Sequence, residues 1–340
     1  MKKELSIAVV GATGAVGTEM LRILEERNFP FSDLRVFASE RSKGQKVTCK
    51  GKEYPLEVLD GSSFDGIDIA LFSAGSETTK KFRKTFNDAG CLIIDNSSAC
   101  RMDEDVPLVI PEINGSDALH HNGLIAVPNC SAIVMLMAVY PIYQLSPIKR
   151  LIISTYQAVS GAGAKALAEL QAQTKEIVEG KTPTKNVLPH QIAFNLFSHN
   201  TSINEEGYNG EEWKVIHEAK KILHDDNIAI GVTCVRVPVE RAHSEAINIE
   251  FLGRRPSLGE VRDALVKAPG VTVVDDRENN YFPMPLEASG KDDVFVGRIR
   301  NDVSNPLAID IFASGDQLRK GAALDAIQIA EYLLEHGAIA

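Results

Sequence analysis

Apolar residues fall into short runs along the first third of the chain, separated by polar amphipathic stretches. Ser6–Val10, Leu34–Ala38, Ile67–Phe72 and Leu92–Asp95 are such runs. Runs of this length and evenness predict strands buried on both faces of a parallel sheet. Between the first two, Val16, Met20 and Leu24 recur at helical spacing and predict an amphipathic helix. Alternation of strand and helix predicts a doubly wound α/β layer structure.

Beyond position 130 the pattern changes. Ala132–Tyr140 is an apolar run read as a buried helix. Arg150–Thr155, Ala229–Pro238, Ala246–Gly253 and Val294–Arg300 read as strands of a second sheet. Ala164–Glu179 predicts a long polar helix. Pro256–Ala268 predicts another, opened by Ser257 and carrying Leu258, Val261, Leu265 and Val266. Pro183–Pro189 and Thr201–Gly210 read as loops. A terminal helix over Lys320–Glu335 presents Ala323, Ile327, Ala330 and Leu334 on one face. The expectation is a Rossmann-type domain over 1–129 and 319–340, with an α+β catalytic and dimerisation domain over 130–318. The terminal helix would return to the first domain.

The length of 340 residues agrees with two domains. A net charge of −10 argues against nucleic acid or anionic membrane as partner, so any phosphate must meet a local basic site. Five cysteines at 49, 91, 100, 130 and 234 have no zinc spacing, which points to a reducing compartment and no structural metal. No run is long and apolar enough for a membrane span, and the opening residues lack a signal-peptide core. A cytoplasmic location is expected.

Four features carry candidate chemistry. Gly11-Ala12-Thr13-Gly14-Ala15-Val16-Gly17 follows a strand and opens a helix, the context in which a glycine turn rests a pyrophosphate on a helix N-terminus. The alternative is a tight turn without ligand. After the second strand, Ser39, Arg41 and Ser42 could hold a 2′-phosphate and favour NADP, whereas Glu40 could serve a ribose 2′-OH. Cys130 stands at the mouth of a buried helix, where free N–H groups favour a thiolate; the alternative is a small core residue. Finally, several polar residues resist a packing explanation. Arg101 follows the strand end Asp95-Asn96-Ser97-Ser98 and could clamp an anion or make a surface ion pair. Gln157 lies just beyond a strand, Arg236 lies inside an apolar one, and His243 lies in a turn between strands. Arg236 needs an anion, from a substrate or from a structural acid. His243 suits proton transfer if its pKa stays near neutral.

These segments together resemble the aspartate-semialdehyde dehydrogenase family. The resemblance rests on Gly11–Gly17 (GATGAVG), Asp95–Ser98 (DNSS) with Arg101, and Pro128–Ser131 (PNCS). It continues through Ser154–Gly163 (STYQAVSGAG), Gln191–Asn195 (QIAFN), Cys234–Arg236 (CVR), His243–Glu245 (HSE), Val294–Arg300 (VFVGRIR) and Lys320–Ala323 (KGAA). It implies NADPH-dependent reduction of L-4-aspartyl phosphate to L-aspartate 4-semialdehyde and phosphate, in lysine, methionine, threonine and isoleucine synthesis. Cys130 would form a thioester, His243 would act as general acid/base, Gln157 would orient the acyl group, and Asn129 would support Cys130.

The resemblance further assigns Arg236 to the substrate carboxylate, Glu218 to its amine, and Arg101 with Lys221 to its phosphate. Glu218 and Lys221 are three apart and share a helix face. Ser73, Ser160, Gly161 and Gln317 are implied as cofactor contacts, with Gln317 standing where Asn is familiar. Cys100 replaces a common aromatic residue beside Arg101. A homodimer through the second sheet is implied. The nearest rival is N-acetyl-γ-glutamyl-phosphate reductase, which needs no amine anchor and so no Glu218. A non-catalytic NADP-binding redox sensor would not need Gln157, Arg236 and His243 together.

Overall fold

A computed structural model describes residues 5–60 and 64–339. The chain divides into two compact units, Met1–Asn129 with Ala322–Ala340, and Cys130–Gly321. The sequence reading set the return of the chain at 319.

The first unit opens with β1 (Leu5–Val10), α1 (Ala15–Glu26), β2 (Phe31–Ala38), β3 (Lys46–Cys49), β4 (Lys52–Val58) and β5 (Ile69–Phe72). It continues with α2 (Ser76–Asp88), β6 (Leu92–Asp95), a short α3 (Pro111–Asn114) and β7 (Leu124–Ala126). Among the described residues the sheet order is β3-β4-β2-β1-β5-β6-β7. Its ladders are parallel except for the β3–β4 hairpin. The apolar runs form the central strands because both of their faces are covered: Ile7, Val9, Val36, Ile69, Leu71 and Ile93 are all buried. The β3–β4 hairpin lies outside the sequence expectation. Its charged residues alternate with Cys49, Tyr54 and Leu56, so only one face is apolar. Lys50 and Gly51, both at positive φ, make its turn.

The second unit runs α4 (Cys130–Tyr143), β8 (Ile148–Gln157), α5 (Ala164–Val178), β9 (Phe197–Ser198), α6 (Gly210–Leu223), β10 (Ala229–Arg236) and β11 (His243–Phe251). Then come α7 (Leu258–Lys267), β12 (Val271–Val273), α8 (Pro285–Ala288), β13 (Val294–Asn301) and β14 (Ala308–Gly315). The strand order is β12-β13-β14-β11-β8-β10-β9. β8 and β10 are parallel, and β11 is antiparallel to β8 and β14. The apolar helix α4 packs on one face of this sheet and against α6 and α7. Helix α4 is buried nearly all round, which is why it reads as a continuous apolar run. The opposite face is half exposed, with Tyr156, Phe312, Ala246 and Val235 on it.

A π-turn over Arg319–Ala323 leads into α9 (Leu324–Glu335), which packs on β5, β6 and α1 of the first unit. Its buried face ends at Leu333, and Leu334 is half-buried. In α7, Val261 and Leu265 are buried, but Val266 points to solvent at 64% exposure. No helix among the described residues is long and apolar enough to cross a membrane.

Candidate active site

The glycine turn leaves β1 and enters α1. A Cβ on Gly17 would stand 2.2 Å from the Gly11 carbonyl oxygen, so only glycine permits this approach of turn to helix. Gly14 caps α1 without a side-chain hydrogen bond, and the first turn holds no acid. The N–H groups and positive end of α1 therefore suit an anion. Ala12 is buried, Ala15 and Val16 are half-buried, and Thr13 and Gly14 are exposed. Ser73 follows β5 and lies beside the turn; its N–H and Oγ donate to the Val10 carbonyl at 2.8 and 3.2 Å.

A 240 Å³ cavity opens at the carboxyl ends of β1 and β2, lined by Gly11, Ala38, Ser39, Glu40 and Thr78 among others. That edge is where ligands bind to open α/β sheets. Glu40 pairs with Lys43 at 3.1 Å. Arg41 is exposed and makes no hydrogen bond or ion pair among the described residues; Ser42 beside it is half-buried.

Farther along the same edge, Asp95 anchors the loop after β6. Its carboxylate accepts from Ser97 Oγ at 2.6 Å and Thr79 Oγ1 at 3.0 Å. Burial raises its pKa, and these bonds pull against that rise. Arg101 is buried, with Nε donating to the Val127 carbonyl and Nη2 to the Asn96 carbonyl, both at 2.9 Å. Cys100 beside it is a buried free thiol whose pKa burial raises.

In the second unit the sheet itself gathers the reactive groups. Gln157 and Arg236 are the last residues of the parallel strands β8 and β10 and pair in register. Strand β11 runs the other way and starts at His243, so the same edge receives all three. His243 is thus the first strand residue, not a turn residue; Ala242, at φ 71, makes the turn. Cys130 begins α4, with its Sγ 3.3 Å from His243 Nε2. Asn129, the last residue of the first unit, is buried immediately before it.

His243 is fully buried, and its Nδ1 accepts the Ala158 N–H at 3.0 Å. That bond puts the proton of the neutral ring on Nε2, facing Cys130 Sγ. Burial, with the charge of Arg236 adding, pushes the ring down to about 3, away from the near-neutral value that its sequence context suggests. A Cβ on Gly161 would meet His243 Cε1 at 3.0 Å and Arg236 Nη1 at 3.3 Å, so this glycine lets the short 3-10 turn over Val159–Ala162 lie directly on both side chains.

Arg236 is 3% exposed and has no acidic partner among the described residues. Nη1 donates to the Ala158 carbonyl at 2.7 Å and Nη2 to His199 Nε2 at 2.8 Å, while its buried Nε bonds to nothing. Desolvation lowers its pKa, with the charges of Cys130 and Glu211 opposing. Gln157 accepts from Thr155 Oγ1 at 3.2 Å and donates to Glu211 Oε1 at 3.1 Å. Glu218 is buried on α6 and Lys221 half-buried on the same face. Gln317 is buried; it accepts the Ala242 N–H at 2.8 Å and donates to Ser160 Oγ at 2.5 Å, bracing the turn before His243. Ser160 in turn donates to the Glu240 carbonyl at 2.5 Å.

Two comparisons decide the family. Residues 6–121 match the semialdehyde dehydrogenase NAD-binding domain, and residues 139–320 match the semialdehyde dehydrogenase dimerisation domain. The aspartate-semialdehyde dehydrogenase of Synechocystis sp. is 50% identical, over 99% of both chains. The chain belongs to the aspartate-semialdehyde dehydrogenase family. That of Aquifex aeolicus is 51% identical, over 98% of this chain and 99% of the relative. Among solved structures, aspartate semialdehyde dehydrogenase II from Vibrio cholerae superposes with a TM-score of 0.95 at 40% identity, covering 98% of this chain and 99% of that one. It has also been solved in complex with ASA. Aspartate-semialdehyde dehydrogenases are phosphorylating aldehyde dehydrogenases, oxidoreductases of amino-acid biosynthesis, with a Rossmann-type NAD(P)-binding domain.

Within this family frame, the fold joins Cys130, His243 and Arg236 in one unit through hydrogen bonds that meet at Ala158, the residue after Gln157. It places the glycine turn, Ser39, Ser73 and Arg101 along one sheet edge in the other. Sequence reasoning missed His199 and Glu211. Glu211 sits two residues after Asn209, which caps α6 in a capping box with Glu212, and that box was the only local signal near it.

Proposed function

We propose that this chain reduces L-4-aspartyl phosphate to L-aspartate 4-semialdehyde and phosphate with NADPH, through a thioester on Cys130, in the synthesis of aspartate-derived amino acids. The observation that carries the reading is Arg236: a buried guanidinium that makes no ion pair among the described residues, although the Glu211 charge acts on it, with its Nε unbonded, sharing Ala158 with the histidine that touches Cys130. A buried charge of this kind calls for an anion from outside the protein, and a substrate carboxylate fits.

NADPH, when bound, supplies hydride. The residues fit it: the glycine approach at Gly17 and the uncapped α1 suit its pyrophosphate, and the cavity beside Ser39 suits its adenosine half. Arg41, which makes no hydrogen bond or ion pair among the described residues, is assigned the 2′-phosphate.

The thiolate of Cys130 attacks the acyl carbon, and the carbonyl electrons move to oxygen. His243 Nε2–H, which faces the sulfur, donates to that oxyanion. The C–O bond to phosphate breaks, and the departing phosphate takes one proton from solvent and leaves as hydrogen phosphate, so that the thioester remains. When hydride, the chemistry that NADPH would supply, reaches the thioester carbon, His243 Nε2–H would hold the second oxyanion. It collapses as the C–S bond breaks, releasing aldehyde and returning the thiolate. The one proton that the overall reduction consumes goes from solvent to the departing phosphate, and the Nε2 proton stays on the ring. Gln157, held by Glu211 and Thr155, orients the acyl group; Asn129 supports Cys130. Glu218 is assigned the substrate amine, and Arg101 and Lys221 its phosphate. Ser160 and Gln317 brace the His243 turn and are assigned, with Gly161, to the nicotinamide side.

The half-exposed face carrying Tyr156 and Phe312 supports a homodimer through this sheet, and five free cysteines support a cytoplasmic location. The test is phosphate-dependent reduction of NADP by L-aspartate 4-semialdehyde. Wild type should turn over, and Cys130→Ala should lose turnover while still binding NADP. Turnover of N-acetylglutamate semialdehyde in its place, or full activity in Cys130→Ala, would overturn the reading.

A further inference from the structure

Arg236 is aimed by two acceptors, and neither is charged. One is the Ala158 carbonyl at 2.7 Å; the other is His199 Nε2 at 2.8 Å. A guanidinium can only donate, so His199 Nε2 carries a lone pair and the ring proton sits on Nδ1. Nδ1 faces Thr201 Oγ1 at 3.4 Å, and Thr201 Oγ1 is itself fixed by the Glu211 N–H at 3.0 Å. His199 follows β9 directly, and its own N–H bonds to the Cys234 carbonyl at 2.9 Å, which sets the ring beside the end of β10. Burial keeps the ring neutral, at about 4, with Arg236 and Lys214 pushing the same way and Glu211 opposing.

We propose that His199 is a positioning residue for substrate recognition: it orients the Arg236 guanidinium as a neutral acceptor and leaves its full charge and its Nε for the substrate carboxylate. An acid at this place would aim the guanidinium equally well but would neutralise it and compete with the substrate. A neutral acceptor orients without competing. The inference rests on the reading of Arg236 as the carboxylate anchor.

Steady-state kinetics with L-aspartate 4-semialdehyde varied, at saturating phosphate and NADP, test it. Turnover by wild type upholds the parent reading; an inert wild-type chain overturns that reading and this one with it. His199→Ala should raise KM for the aldehyde by about ten-fold, the scale of one hydrogen bond to a charged group, with kcat within about three-fold and KM for NADP unchanged. His199→Gln, whose side-chain oxygen can replace Nε2, should restore most of the KM. His199→Glu should raise KM at least as much as His199→Ala. A wild-type KM in His199→Glu, or a loss confined to kcat in His199→Ala, would overturn the proposal. If His199→Ala does not fold, the contrast between the Gln and Glu variants decides it alone.

Discussion

Acidification separates a hydrogen-bond donor from a proton carrier at His243. Burial sets this ring at about 3, so about one molecule in a thousand is doubly protonated at pH 6, whereas an ordinary histidine would be about three-quarters protonated. Geometry gives the same answer, because a second ring proton on Nδ1 would face the Ala158 N–H now 3.0 Å away. The effect on stability has a definite sign. Below about pH 6.5 the unfolded ring takes up a proton that the folded ring refuses until about pH 3. The contribution is therefore complete above 6.5 and is lost as pH falls, at about 1.4 kcal/mol per pH unit, or about 2 kcal/mol by pH 5. Nitrogen-15 histidine spectra from pH 5.5 to 8.5 should show His243 with bare Nδ1 and protonated Nε2 throughout. Urea unfolding at pH 7.5 and 5.0 should show wild type losing about 2 kcal/mol more than His243→Gln. An imidazolium titrating between pH 6 and 7, or equal losses in the two proteins, would refute the reasoning.

Glu245, two residues along the same strand, has the opposite sign. It is fully buried with neither carboxylate oxygen bonded, and burial raises its pKa well above the usual range. Its folded form keeps a proton that the unfolded chain releases, so stability falls as pH rises above about 4.5. Glu245→Met should raise the urea midpoint, more at pH 8 than at pH 5; an equal or larger gain at pH 5 would contradict this. Arg41→Ala should weaken NADP by about ten-fold or more and leave NAD nearly unchanged, measured by fluorescence titration, because a 2′-phosphate is what the guanidinium is free to meet. Equal losses would remove that role.

The first sheet was legible where a strand is buried on both faces, as in β1, β2, β5 and β6, because burial forces a continuous apolar run. It was not legible in β3 and β4, where one face is solvated and Lys46, Lys52 and Glu53 break the run. Strand β7 is only Leu124–Ala126, and β14 carries Asp310 in its middle and closes in Ser-Gly. At the site, Cys130 and Arg236 stood out because each conflicts with its surroundings: a thiol at a helix mouth, and a charge in an apolar strand. His243 was noticed but set in a turn, since the chain reverses at Ala242, a residue that gives no sign of positive φ. His199 and Glu211 lie in polar stretches where polar residues need no explanation. Folding gives them partners: Arg236 at the end of β10 for His199, and Gln157 at the end of β8 for Glu211.

The deepest part of the arrangement is backbone, which side-chain patterns do not report. The sheet ladder ends where Gln157 meets Arg236, so Ala158 is the first residue of this segment outside the ladder. Its N–H goes to His243 Nδ1 and its carbonyl to Arg236 Nη1. One peptide segment thereby fixes which nitrogen of the histidine carries the proton and where the guanidinium points. On the proposed function, both settings would serve charge that arrives with substrate: a carboxylate at Arg236 and an oxyanion beside Cys130. The backbone amide adds neither a titration nor rotamers of its own, and the side chain that shares the task at Arg236, His199, is held neutral by burial. On that reading His243 and Arg236 would keep fixed protonation states while charge passes between sulfur, acyl oxygen and phosphate.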